Sequence, residues 1–254
     1  MTEVQWNRLT AAELRALAAK DAIVLLPVAS TEQHGPHLAT GVDMFLGMEG
    51  CKRIAEKVSV HRPCVVAPSV WMGLAEHHVA FGGTFTLSLT TWHALLRDLC
   101  RSILRAGFKK ILLVNSHGGN MAALNALTVD LTKELDAPIA TTTLYSVVHE
   151  TGAFATILED QKQVMHACEA ETSMMMVVAP DCVRKDKMAD AHGANLTAAT
   201  ALARPLNTWR SFADLTPSGV AGDARKSTAA KGEKLFEMAA QSIAERLIKG
   251  EPWV

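Results

Sequence analysis

Two short stretches carry residue types that do chemistry. The first is Ser30-Thr31-Glu32-Gln33-His34-Gly35-Pro36-His37, closing at Gly41-Val42-Asp43. It gathers two carboxylates and two imidazoles into one connection. Glu32 and His34 alternate around Gln33, so in an extended segment both side chains leave the same side. Asp43 follows Gly35, Pro36 and Gly41, which can fold the chain back. The second stretch is Asn115-Ser116-His117-Gly118-Gly119-Asn120. Neutral imidazole suits Zn, Mn or Fe, and carboxylates neutralise the charge of such an ion. Glu32, His34, Asp43 and His117 are therefore candidate metal ligands. Two carboxylates in the set allow one to bridge a pair of ions, which in hydrolases stand about 3.5–4 Å apart. Taken alone, His117 reads equally as a hydrogen-bonded core histidine; the company of the other three favours a metal. His37 reads better as a structural hydrogen-bonding residue than as a ligand.

A third stretch is His166-Ala167-Cys168-Glu169-Ala170-Glu171-Thr172-Ser173. On a helix Glu169 and Glu171 are about 200° apart, so one of them at most faces a site. A helix that already includes His166 would place Glu169 on its face. A His166 in the preceding loop leaves Glu171 free to point inward. Either glutamate also fits a solvated first turn favoured by the helix dipole. Glu76 and His77, in the loop 71–78, are candidate substrate contacts or hydrogen-bond partners of the ligands, though an ordinary exposed loop explains them as well.

These stretches need a scaffold, and the pattern supplies one. Ala22 to Val28 and Ile111 to Val114 are apolar, β-branched runs bounded by turn residues, the signature of buried strands. Each delivers its cluster at the strand's carboxyl end, where open α/β sheets place ligands. Thr10 with Glu13 forms a capping-box pattern for a helix through Ala19. Amphipathic periodicity predicts helices over 44–58, 90–105, 120–135, 168–178 and 227–249. Further strands are expected over 63–70, 85–88 and 138–144. The stretch 145–163 reads as a loop with a short helix, and 181–215 is the least readable part. Strands alternating with helices predict an α/β fold with a mostly parallel sheet covered on both faces.

The totals narrow the function further. A length of 254 residues suits one large domain. Hydrophobic residues make up 49% and charged residues 20%, enough for a sizeable core. A formal net charge of −1 and 5% aromatics argue against nucleic acid or an anionic membrane as partner. Five scattered cysteines, none in a Cys-x-x-Cys pattern, fit reduced thiols in a cytoplasm. No signal peptide or membrane-spanning run is expected. No Gly-x-Gly-x-x-Gly follows the first strand, which speaks against a nucleotide cofactor.

At these residues the chain resembles the creatininase (creatinine amidohydrolase) family. The resemblance rests on residues 30–38, 41–43 and 115–120, on Glu76-His77 with Gly83-Thr84, on Glu171-Thr172-Ser173, and on 216–220 with Gly222-Asp223 and 229–232. It implies a three-layer α/β/α sandwich over residues 1–254 and a centre of two Zn or Mn ions, with Fe as a further candidate. It also implies a homo-oligomer, a hexamer. On that basis Glu32, His34, Asp43 and His117 are ligands, with Asp43 bridging; His166 matches the catalytic histidine, and Glu171 is preferred to Glu169 as a further ligand. The chain departs from creatinine-hydrolysing members, which carry tyrosine and a metal-binding glutamate where Gly118 and Gly119 stand. They also carry a Trp-Asp pair where Lys162 and Gln163 stand. Creatinine itself is therefore a poor expectation.

Together these features predict a metal-dependent amidohydrolase acting through a metal-bound hydroxide on a small, cyclic, non-peptide molecule. One alternative is a peptidase acting on a peptide-derived cofactor precursor. Another is a metal or small-molecule binding protein without catalysis.

Overall fold

The structure is a computed structural model that describes residues 3–196, 206 and 208–253. Four parallel strands form its sheet, in the order β2-β1-β3-β4: β1 (Ile23–Val28), β2 (Cys64–Val66), β3 (Lys110–Asn115) and β4 (Ile139–Thr143). Every residue of β1 is buried. Alternate residues of that strand enter different cores. Ile23 and Leu25 pack with α2 (Val42–Val58), α6 (Glu169–Val178) and the C-terminal α7 (Ala229–Lys249). Val24, Leu26 and Val28 pack against α1 (Ala11–Ala19), α3 (Leu89–Arg105) and α4 (Met121–Leu135). This is a three-layer α/β/α sandwich, and a strand buried on both faces explains the unbroken apolar run. A short α5 (Ser146–Thr151) follows β4.

The capping box at Thr10 and Glu13 is present as read. Two expectations change. The strand over 63–70 is only Cys64–Val66; Val70 makes an isolated bridge to Val28. Residues 85–88 form no strand, although Phe85 bridges Thr31 and Thr86 bridges Gly73. Too few partners run alongside either segment to make a ladder. Asp43 stands in the first turn of α2, where the helix dipole favours a negative charge. Part of the unreadable stretch 181–215 lies outside the described residues. Among the described residues, no helix is long and apolar enough to cross a membrane.

Sheet order reverses between β1 and β3, which are adjacent while their outgoing connections cross to different faces. The crevice at such a switch point is where ligands bind in open α/β sheets. Both reactive stretches open from this point.

Candidate metal centre

Backbone hydrogen bonds shape the loop after β1. Gly35 has φ +67°, a left-handed conformation that favours glycine, and the turn folds His34 back onto Leu38. After β3, the Asn115 side chain grips His117, accepting its backbone N–H at 3.2 Å and donating to its carbonyl oxygen at 2.7 Å. Asn120 ties this loop to its neighbours. It donates to the Ala29 carbonyl and accepts from the Leu74 backbone N–H.

The two stretches meet. Glu32, His34, Asp43 and His117 are at most 3% exposed, and Glu171 is 5% exposed. Asp43 stands between the histidines: His34 Nε2 lies 3.4 Å from its Oδ1, and His117 Nδ1 lies 3.2 Å from its Oδ2. His117 Nδ1 is also 3.1 Å from Glu32 Oε1, and His34 Nε2 is 3.7 Å from Glu171 Oε2. Two ligand-like groups follow, Glu32 with Asp43 and His117, and His34 with Asp43 and Glu171. A third, overlapping group joins Glu32, His34 and His166.

The chemistry of these donors fits divalent cations. Both Glu32 carboxylate oxygens, His34 Nε2 and Asp43 Oδ2 are buried without a hydrogen-bond partner among the described residues. Unsatisfied buried carboxylate oxygens are costly unless a cation completes them. The other imidazole nitrogens are engaged: His34 Nδ1 donates to the Glu32 carbonyl and His117 Nε2 to the Leu74 carbonyl, both at 3.2 Å. These bonds fix the tautomers that leave His34 Nε2 and His117 Nδ1 free to ligate.

The electrostatics follow from burial and proximity. Burial opposes a charge on His34, but Asp43, aided by Glu171 and Glu32, outweighs it and pushes its pKa up to about 9. His117 is raised in the same way, burial being outweighed by Glu32 and Asp43. For Asp43 the burial cost is overcome by His117 and His34, which hold it below the usual carboxylate range. Burial dominates at Glu32 and at Glu171, raising both, Glu171 to about 8.

The helix α6 begins at Glu169, so His166 lies in the loop before it. That leaves Glu171 to face the cluster. Glu169 turns away, where its carboxylate accepts from Lys231 Nζ and from the backbone N–H groups of Glu159 and Asp160. Glu171 Oε2 accepts the Ala167 N–H at 2.6 Å, across a turn in which Ala167 has φ +52°. The Ala221 N–H binds the His166 carbonyl, so the C-terminal loop helps hold the same turn. His166 Nδ1 lies 3.5 Å from Glu32 Oε1. Burial and neighbouring imidazoles, His34 foremost, hold His166 well below its ordinary pKa.

An open cavity reaches the cluster, with Met121, Val164, Met165 and Phe212 on its apolar walls. His77 lines it and stacks on His117 with ring centroids 5.7 Å apart. Burial, with His117 nearby, lowers His77 to about 4. Glu76 is exposed and does not line the cavity. In the 3-10 turn 76–81 Glu76 points outward, while His77 and His78 both turn toward the cavity. His37 is buried against the Thr172 hydroxyl at 2.7 Å, away from the ligand groups.

Sequence reasoning missed His78 and Tyr145. His78 is 2% exposed and reaches Glu32; nothing in a run of two histidines shows which turns inward. Tyr145, the chain's single tyrosine, lines the cavity with a buried hydroxyl that has no partner among the described residues. Its place just after β4 repeats the strand-end rule that located the other two stretches. At Gly119 an added Cβ would collide with the His117 ring, the Leu74 carbonyl oxygen and His77 Cε1, so this backbone admits no side chain there. At Gly118 the same atom would meet nothing.

Comparison with known proteins places this geometry. Residues 7–247 match the family described as creatininase, creatinine amidohydrolase. A mycofactocin precursor peptide peptidase of Mycolicibacterium smegmatis is 30% identical over 91% of this chain and 86% of its own. The creatinine amidohydrolase of Pseudomonas putida is 26% identical over 96% and 94%. A solved structure described as creatininase Mn superposes with a TM-score of 0.83 at 25% identity, covering 99% of this chain and 100% of the other.

Proposed function

The chain belongs to the creatininase family of hydrolases, and from that premise we propose that it cleaves an amide-type C–N bond in a small, cyclic, non-peptide molecule with the help of two divalent ions, Zn or Mn. One observation carries the proposal. Buried carboxylates and imidazoles from three distant segments converge, and within them both Glu32 oxygens, His34 Nε2 and Asp43 Oδ2 have no hydrogen-bond partner among the described residues.

In this reading Glu32, Asp43 and His117 would hold one ion, and His34, Asp43 and Glu171 the other, Asp43 belonging to both groups. When bound, such ions polarise a carbonyl and lower the pKa of water from about 15.7 to roughly 7. His166, kept neutral by its surroundings, takes the proton of the attacking water at Nδ1 and returns it to the leaving nitrogen as the C–N bond breaks. His77 lines the approach to the reacting carbonyl. The apolar walls, Met121, Val164, Met165 and Phe212, favour the uncharged part of a substrate. Residues 1–254 act as one domain, assembled as a homo-oligomer, a hexamer on the family resemblance. Its free cysteines suit a cytoplasmic setting.

A second reading is peptide hydrolysis. The similarity to the mycobacterial peptidase favours it, and the open floor at Gly118 leaves room for a longer chain. A screen of lactams, hydantoin-like rings, formamides and short peptides separates the two. Turnover lost on chelation and restored by Zn or Mn excludes a non-catalytic binding protein. Unchanged metal content in both Glu32→Gln and His117→Ala would overturn the site assignment.

A further inference from the structure

His78 is buried beside the cluster yet belongs to none of the ligand groups. Its Nε2 lies 3.3 Å from Glu32 Oε1, and its Nδ1 lies 2.9 Å from Gln33 Nε2. Its ring stacks on His166, with centroids 4.3 Å apart and planes at 22°, and packs on Phe212 at 4.5 Å.

The Gln33 amide decides where the protons are. Its Oε1 accepts the Gly35 N–H at 2.8 Å. Its Nε2 lies 3.3 Å from the Gly219 carbonyl oxygen. Reversing the amide would set two N–H groups against each other at Gly35 and two oxygens against each other at Gly219, so this orientation stands. The amide therefore donates to His78 Nδ1. An imidazole that accepts at Nδ1 carries its proton at Nε2. That N–H lies on the Glu32 side, 3.3 Å from Oε1, without forming an aligned hydrogen bond there. The same residue settles His166. His166 Nε2 is 2.8 Å from the Gln33 backbone carbonyl, where only an N–H is welcome. Gln33 Nε2 also lies 2.9 Å from that nitrogen, but its two hydrogens go to His78 and Gly219. The His166 lone pair is thus at Nδ1, on the side of Glu32.

We infer that His78 is a positioning residue of the metal centre, whose Nε2–H, set by Gln33, is placed beside Glu32 to hold its carboxylate once a cation draws it into line, and does not itself ligate. A protonated nitrogen has no lone pair for a metal, so the tautomer separates the two roles. The inference rests on the reading of the cluster as a divalent-cation site. Gln33 is itself anchored, its backbone N–H reaching the Thr84 hydroxyl at 3.3 Å.

Two measurements test it. In the Zn-loaded native protein, nitrogen-15 NMR of the histidine rings is expected to show His78 as the Nε2–H tautomer, assigned by the signal missing in His78→Gln. In Mn2+ titrations, His78→Phe is expected to weaken one of two sites by about 10- to 100-fold, the usual effect of losing a ligand's orienting partner. His78→Gln, whose amide keeps a donor near the Nε2 position, should recover most of that loss, which a merely structural role would not predict. A metal-shifted Nε2 on His78, or unchanged Mn2+ binding in a folded His78→Phe, would overturn the inference while leaving the metal centre intact. If His78→Phe does not fold, the native tautomer decides alone. Failure of the native protein to bind Zn or Mn at all would remove both the inference and the reading beneath it.

Discussion

Asp43 Oδ2 stands 3.2 Å from His117 Nδ1, joining the first turn of α2 to the end of β3. The other oxygen of the same carboxylate faces His34. Asp43→Asn should therefore lower the content of both ions, because the amide loses the charge and one acceptor. Glu171→Gln should lower only one. Metal analysis of dialysed protein checks both, and equal losses in the two variants would contradict a shared Asp43.

Glu169→Gln offers a contrast. Its carboxylate binds Lys231 and two backbone N–H groups, none of them near the cation groups. Lys231 keeps Glu159 and the Lys226 carbonyl as partners, so the loss is that of weakened buried hydrogen bonds at Glu169, about 1–3 kcal/mol. Metal content per folded chain should not change. Denaturant titration beside metal analysis reads the two effects apart.

Metal binding and pH are linked with a definite sign. In the metal-free protein the His34 pKa is about 9 against an ordinary 6.5. Its contribution to stability is full below 6.5 and is lost as pH rises through about 9. Glu171, raised to about 8 from 4.5, acts in the same direction, since its buried carboxylate ionises as pH rises. The free energy of unfolding in chelator should fall between pH 6.5 and 9, by up to about 1.4 kcal/mol per pH unit for each excess proton, and the melting temperature with it. Mn2+ displaces these protons, so the rise in melting temperature that it produces should grow over the same window. A flat metal-free profile would show that the imidazoles carry no extra protons.

His166→Asn should cut turnover by about 10²- to 10⁴-fold, the range for loss of a general acid–base group. Metal content should stay near native, since each of the two principal ligand groups is complete without it. Steady-state kinetics on the best substrate of the screen, with metal analysis of the same sample, tests this.

Gly232→Ala reverses the usual rule. In most helices alanine is about 0.5–1 kcal/mol better than glycine. Here an added Cβ would collide with the Ser173 carbonyl oxygen, where α7 crosses α6. The variant should be less stable than the native protein, and because Ser173 follows Glu171 by two residues, metal affinity should fall with it. Thermal melts and Mn2+ titration provide the check.

The fold was legible wherever burial is uniform. β1 is apolar throughout because both faces are covered, and helices such as α3 show one apolar stripe. Segments 63–70 and 85–88 were misread because strand composition does not guarantee a neighbour to pair with. Glu76 and His78 exchanged importance because a 3-10 turn, unlike a strand or a long helix, leaves no periodicity to read.

By itself the sequence determined which residues could hold cations, and that they arise at strand ends of a parallel sheet. Glu32 with His34, and His117 before its glycines, are local patterns set by residue type and spacing. Only the tertiary structure decided that Asp43 stands between two imidazoles, that Glu171 faces inward while Glu169 does not, and that His78 and Tyr145 line the same cavity. Those outcomes depend on where α2 and α6 start and on how separate loops cross, and contacts between distant segments leave no trace in local spacing.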